Sequence, residues 1–215
     1  MKITLLRTEN ISQIKIFIKK QYVTISKSFF FIPSNNIILQ CLHEETGISH
    51  GAFIDDELVG VRLAYIPGIQ KENHGYNLNF SKNELYNVVQ FHGTLVERMI
   101  RSKGLGQQLV NINCEHIFAR KLKHVLATVH PDNIMSITMF SRNNFRLVAF
   151  KNKYCNLPRY IYHRQKYYDN LSSSNEIRTL SLSNKEKIIE YLHSGFYGTS
   201  VFKVNGESFL TMDKY

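Results

Sequence analysis

Val96-Glu97-Arg98-Met99-Ile100-Arg101-Ser102-Lys103-Gly104-Leu105-Gly106-Gln107-Gln108-Leu109 is the stretch on which the reading of this chain turns. An apolar run ends at Leu95-Val96, a short basic loop follows, and Gly104 and Gly106 open a helix striped by Leu105, Leu109, Ile112 and Ile117. That arrangement is a cradle for an anion. Glycines let backbone N–H groups come close to a phosphate, and a helix start adds partial positive charge. Arg101 and Lys103 add full charges, and each charge-assisted hydrogen bond contributes about 1.5–3 kcal/mol. No Gly-Lys-Ser/Thr follows, which excludes a Walker loop, and the third glycine of the dinucleotide fingerprint is missing. Taken alone, the two glycines fit a plain turn before an ordinary helix equally well.

One helix and one strand further on comes His130-Pro131-Asp132-Asn133-Ile134-Met135-Ser136-Ile137-Thr138-Met139-Phe140-Ser141-Arg142-Asn143-Asn144-Phe145. It predicts a helix from about Asn133 to Arg142 that turns into a strand. With the first stretch, it resembles the two acetyl-CoA motifs of the GNAT N-acetyltransferase superfamily. Arg101, Gly104 and Gly106 fill Q/R-x-x-G-x-G/A, while Asn133, Ser136 and Phe145 match N-x-x-A/S-x-x-x-Y-x-x-x-G-F in register. The resemblance spans about residues 88–164, and the segment after Asp169 lies outside it.

The resemblance implies acetyl-CoA as co-substrate, and no metal is expected. Arg101, Ser102, Lys103, Gly104, Leu105, Gly106 and Gln107 would hold its pyrophosphate, with Asn133, Ser136 and Phe140 beside its arm. In the family the preceding strand opens at a bulge to receive the acyl thioester. Its end here is Leu95-Val96, and the Val96 N–H would polarise the carbonyl.

Two positions depart from the family pattern. Asn144 replaces the usual glycine, and asparagine is the best other residue for a left-handed backbone. Phe140 stands where the family carries its tyrosine general acid, and a phenyl ring donates no proton. Tyr154 and Tyr160 are the nearest substitutes. Alternatively CoA leaves as a thiolate, since a thiol pKa of about 8.5 makes it a tolerable leaving group, or the chain binds without catalysing. Candidates for the general base are Glu97, beside the strand end, and His92, further back on the strand. Each has a plainer reading: Glu97 as a solvated carboxylate, His92 as a satisfied core histidine, and both tyrosines as packing.

Elsewhere the chain alternates strand and helix, which predicts a mixed α/β sheet with crossover helices. Lys2 to Arg7 reads as a strand, and Asn10 or Ser12 caps a helix to about Ile25. Phe29 to Ile32 is an apolar stretch, and Ser34 caps a second helix to about Glu45. His50 to Ile54 and Leu58 to Ile66 form a hairpin about Asp55-Asp56-Glu57. Gln70 to Glu84 reads as a surface loop and Leu85 to Glu97 as the longest strand. Strands are expected over 125–129, 145–151 and 160–164. The tail predicts a strand from Ile177, a helix 184–194 with a Ser183/Glu186 capping box, and a hairpin about Asn205-Gly206. The expected organisation is therefore a GNAT-like domain over 1–166, a linker over 167–175, and a β-α-β-β extension over 176–215 that serves as an added sheet, a lid or a homodimer contact.

Composition sets outer limits. The chain has 215 residues, 43% hydrophobic and 20% charged, which is globular rather than disordered. No apolar run reaches the ~20 residues of a membrane span, and the start has no signal-peptide pattern. Cys41, Cys114 and Cys155 are odd in number without metal-ligand spacing, which points to free thiols and a cytoplasmic setting. The net charge of +10 is spread along the chain, so it suits the phosphates of a cofactor better than a nucleic-acid surface. The nine histidines show no metal-ligand spacing. The expected activity is acetyl transfer to a primary amine of a small molecule or peptide. The alternative is a non-catalytic acyl-CoA-binding or protein-interaction module on the same fold.

Overall fold

A computed structural model describes residues 1–25, 29, 32–154, 156–166 and 176–215. The chain divides into two compact units, Met1–Val125 and Leu126–Tyr215.

In the first unit, β1 (Lys2–Leu5), β2 (His50–Ile54), β3 (Glu57–Tyr65) and β4 (Val88–Val96) pair antiparallel in chain order. Among the described residues they are accompanied by the α-helices α1 (Ile11–Tyr22), α2 (Asn35–Leu42), α3 (Lys82–Leu85) and α4 (Leu105–Ala119). Both sheet faces are covered, so β3 reads as a nearly continuous apolar run. On one face Ile14, Phe17 and Ile18 of α1 and Ile38 and Leu42 of α2 pack with Val61, Leu63 and Leu95. On the other, Leu105 and Leu109 of α4 pack with Ala52. Gly60 of β3 permits that approach: a Cβ there would lie 3.1 Å from Leu109 Cδ1 and 3.2 Å from Leu105 Cδ2.

The stretch expected as a surface loop is more ordered than its polarity suggests. A 3-10 turn forms over His74–Leu78, and Ser81 with Glu84 makes a reciprocal capping box for α3. Asn73 is wholly buried, and its amide donates to the carbonyls of Gly68 at 2.6 Å and Leu85 at 3.1 Å. The capped turn takes up Leu85, so β4 begins at Val88.

β4 carries an irregularity. Leu63 pairs with Gly93 but Ala64 with Phe91, leaving His92 as the extra residue of a bulge. This is the strand the sequence expects to open.

The second unit is entered through β5 (His124–Val129), followed by α5 (Ile134–Arg142), β6 (Arg146–Lys153), β7 (Leu157–Gln165), β8 (Ile177–Ser181), α6 (Lys185–His193), β9 (Phe196–Val204) and β10 (Glu207–Lys214). The strand order is β5-β7-β6-β9-β10-β8. The tail extends this sheet: β9 pairs antiparallel with β6 at Leu147 and Gly198, and α5 and α6 both pack against β6 and β9. Asn205 and Gly206 both have positive φ, 49° and 84°, as the type I′ reading requires. The cap of α6 is Asn184, which accepts from Lys187 N at 3.2 Å, and not Ser183, whose hydroxyl meets that of Ser181 at 2.7 Å. The linker expected over 167–175, Cys155 and most of the apolar stretch before Ile32 lie outside the described residues. Among the described residues no helix is long and apolar enough to cross a membrane.

Candidate active site

The end of β4 is built by alternation. Glu97 N–H donates to the Val59 carbonyl at 2.8 Å, and in an antiparallel ladder the neighbouring residue then turns both its main-chain groups to the other side. Val96, opposite Gly60, therefore points its N–H and C=O away from β3. The carbonyl is occupied: Arg101 Nε donates to it at 2.9 Å.

A 3-10 turn over Arg98–Ile100 follows, and two left-handed residues then redirect the chain, Ser102 at φ 63° and Gly104 at φ 86°. Gly104 is the N-cap of α4 and supplies no side chain to its first N–H groups. A Cβ on Gly104 would meet nothing within 4 Å, so its φ, and not crowding, selects glycine. Leu105 anchors the helix start in the core at 6% exposure, while Ser102, Lys103 and Gly104 are exposed and Gly106 and Gln107 half-buried. An uncapped helix start beside an exposed lysine fits a phosphate-bearing group.

Arg101 is not extended into that mouth. Its Nη2 donates to Gln21 Oε1 at 2.9 Å and Thr24 Oγ1 at 2.7 Å, which ties the end of α1 to the end of β4. Gln21 then donates through Nε2 to Glu97 Oε2 at 2.8 Å. Lys20 Nζ lies 3.1 Å from that same oxygen, and Glu97 Oε1 accepts from Arg98 N at 3.1 Å. Burial alone would push the Glu97 carboxyl up, but Lys20, the Arg98 N–H and Gln21 together hold it below its ordinary value. A carboxylate so engaged is a weak proton acceptor.

His92, at the bulge, is half-buried, with its ring 5.1 Å from that of Tyr65. Burial first, and then the Arg62 charge, lowers its pKa to about 4, so the ring is neutral at pH 7. Arg62 itself is fully buried, lies over the Phe91 ring and donates to Thr94 Oγ1.

The second unit arranges the other motif. Asn133 caps α5, its Oδ1 accepting from Ser136 N at 3.1 Å, so these two matched residues bond to each other. Phe140 is 4% exposed, edge-on to Phe145 at 4.9 Å and stacked on Tyr162 at 5.5 Å. Asn144 has φ 58°, the left-handed turn that the glycine of the pattern makes. Tyr154 sits at φ 49° after β6, and its hydroxyl lies 3.2 Å from Thr128 Oγ1 on β5. Burial raises its pKa, only partly countered by Thr128 and Arg159, so it is a neutral phenol. Tyr160 is 1% exposed, its hydroxyl has no hydrogen-bond partner among the described residues, and burial followed by Asp132 raises its pKa. No sequence motif singles out Thr128, Gln21, Lys20 or Gln90. Gln21 and Arg101 are 80 residues apart, and no local pattern announces such a contact. Among the described residues no cluster of metal-ligating side chains gathers.

Among solved structures, smu.2055 of Streptococcus mutans UA159 aligns at TM-score 0.55 and 22% identity, covering 77% of this chain and 99% of that one. NAA60 of Arabidopsis thaliana, solved with acetyl-CoA, aligns at TM-score 0.60 and 14% identity over 76% and 98% of the two chains. Arabidopsis thaliana Naa50, solved with the bisubstrate analogue CoA-Ac-MVNAL, aligns at TM-score 0.57 and 14% identity over 77% and 99%. These likenesses show the fold. A search of curated proteins finds no match. The profile of the acetyltransferase (GNAT) family matches residues 17–145, more than half of the 215-residue sequence. The chain belongs to the GNAT acetyltransferase family, which uses acetyl-CoA as co-substrate.

Proposed function

We propose that this chain transfers the acetyl group of acetyl-CoA directly to a primary amine of a small molecule or peptide. The observation that carries the reading is the turn from β4 into α4: a left-handed Gly104 opening an uncapped helix, next to Val96 with its N–H turned away from β3. Bound acetyl-CoA supplies an activated acetyl group as a thioester. The α4 N–H groups and Lys103 hold its phosphates, and the Val96 N–H donates to a carbonyl oxygen. Arg101 acts through the backbone it braces. Tyr154 holds a proton at its phenol oxygen, steadied by Thr128, and is the better acid of the two tyrosines because Tyr160 is sealed in the core. The ribosomal-protein-S18-alanine N-acetyltransferase of Escherichia coli, which shares the fold at TM-score 0.56 and 10% identity, supports the peptide end of the substrate range.

The test is release of free CoA thiol against a panel of polyamines, aminoglycosides, amino acids and peptides, with the acetylated product identified by mass. Acetyl-amine product from one class establishes the reading. Acetyl-CoA binding without release on any acceptor favours the binding module, the reading that Phe140 in the tyrosine position motivates.

A further inference from the structure

The bulge of β4 places His92 next to a buried amide whose orientation is forced. Gln90 is 1% exposed and reaches two partners at once. Its Oε1 lies 3.1 Å from the backbone nitrogen of His74, and its Nε2 lies 3.2 Å from His92 Nε2. A backbone N–H can only donate, so the oxygen of the Gln90 amide must face His74. The amide nitrogen, also only a donor, must then face His92. It follows that His92 Nε2 carries the lone pair and Nδ1 carries the proton. Protonating Nε2 would set two N–H groups head to head. Nδ1 has no hydrogen-bond partner among the described residues.

We propose that Gln90 is a positioning residue that locks His92 in the Nδ1–H tautomer, so that His92 serves acetyl transfer as a hydrogen-bond donor to an oxygen of the bound substrate and not as the general base. The lock follows from geometry alone; the donor role rests on the transferase reading. The ring has one lone pair, and Gln90 covers it. What remains for a ligand at the bulge is an N–H, which meets a carbonyl oxygen and repels an ammonium. His92 thus adds a side-chain donor to the main-chain donor of Val96 further along the same strand.

The test begins with nitrogen-15 NMR of the histidine side chains in the intact protein at pH 7. His92 should show a protonated Nδ1 and an unprotonated Nε2; the reverse pattern overturns the lock. Gln90→Glu presents a carboxylate oxygen to Nε2 and should move the proton there. A spectrum unchanged by this substitution also overturns it. For the role, His92→Asn keeps an N–H donor near the Nδ1 position without a basic nitrogen. It should retain kcat/KM within a few-fold, while His92→Leu loses about tenfold or more, the worth of one hydrogen bond. Equal losses in the two variants, with acetyl-CoA affinity intact, overturn the donor role. If the wild-type chain transfers acetyl to no acceptor, the transferase reading falls and the donor role with it, while the spectrum still decides the lock.

Discussion

Arg101 donates its Nε–H to the carbonyl oxygen of Val96 at 2.9 Å, so the arginine of the family motif braces the strand end with its side chain. The same guanidinium reaches Gln21, and Gln21 reaches Glu97. Two charged residues at the mouth of α4 are thereby engaged with α1, and the helix start itself is left to its backbone and Lys103.

Gln21 is the linchpin of that brace, since it is 1% exposed and bonded to a charged group on each side. Gln21→Leu leaves the guanidinium and the carboxylate each without one partner. It should cost about 1–3 kcal/mol of stability, read from urea denaturation. An unchanged midpoint would show that the network contributes nothing.

Glu97→Gln separates structure from chemistry. If Glu97 serves to hold Lys20, Gln21 and the Arg98 N–H, the variant should lose some stability while the pH profile of kcat/KM keeps its shape. Disappearance of the acid limb of that profile would instead make Glu97 the base.

The fold and the turn from β4 into α4 are legible in the sequence because both rest on local patterns. Gly104 takes φ 86° and Asn144 takes φ 58°, and glycine and asparagine are the residue types that enter the left-handed region most readily. The Phe140 departure is equally plain, since it needs only the motif register. What the sequence hides is tertiary: that Arg101 is taken by Gln21 and Thr24, that Gln90 orients His92, and that Tyr154 meets Thr128. Asn73 escapes for a related reason. Asparagine in a polar run reads as loop, yet its amide satisfies two carbonyls inside the fold.

Acid should destabilise the first unit through His50. Its Nδ1 faces the Asn113 amide at 2.8 Å and its Nε2 faces His116 Nδ1 at 3.4 Å. Burial, then His116, lowers its pKa from 6.5 to about 4. The unfolded ring takes up a proton first, so this contribution is complete above about pH 6.5 and is lost as the pH falls toward 4. The full loss is on the order of 3 kcal/mol. His50→Gln should make the fall in stability between pH 6.5 and 4 shallower, with His92, whose pKa is lowered as far, contributing part of what remains, measured by denaturation at several pH values. An equally steep fall in the variant would assign the effect to another group.

Phe140→Tyr tests whether the missing phenol limits the rate. The ring is 4% exposed against Phe145 and Tyr162, so the added hydroxyl should cost about 1–3 kcal/mol of stability if it finds no partner. A rise in kcat despite that cost would show that proton donation is limiting. An unchanged kcat, joined to a loss of about 10²-fold in Tyr154→Phe, would place the proton on Tyr154.

The most direct test of the central claim is calorimetric titration of acetyl-CoA into the wild-type chain, Gly104→Asn and Gly104→Asp. Both variants tolerate the left-handed cap and differ chiefly in charge. The wild type should bind, Asn should bind with modestly reduced affinity, and Asp should lose binding while remaining folded. Equal affinity in the Asp variant, or no binding by the wild-type chain, would contradict the assignment of the phosphates to Lys103 and the start of α4.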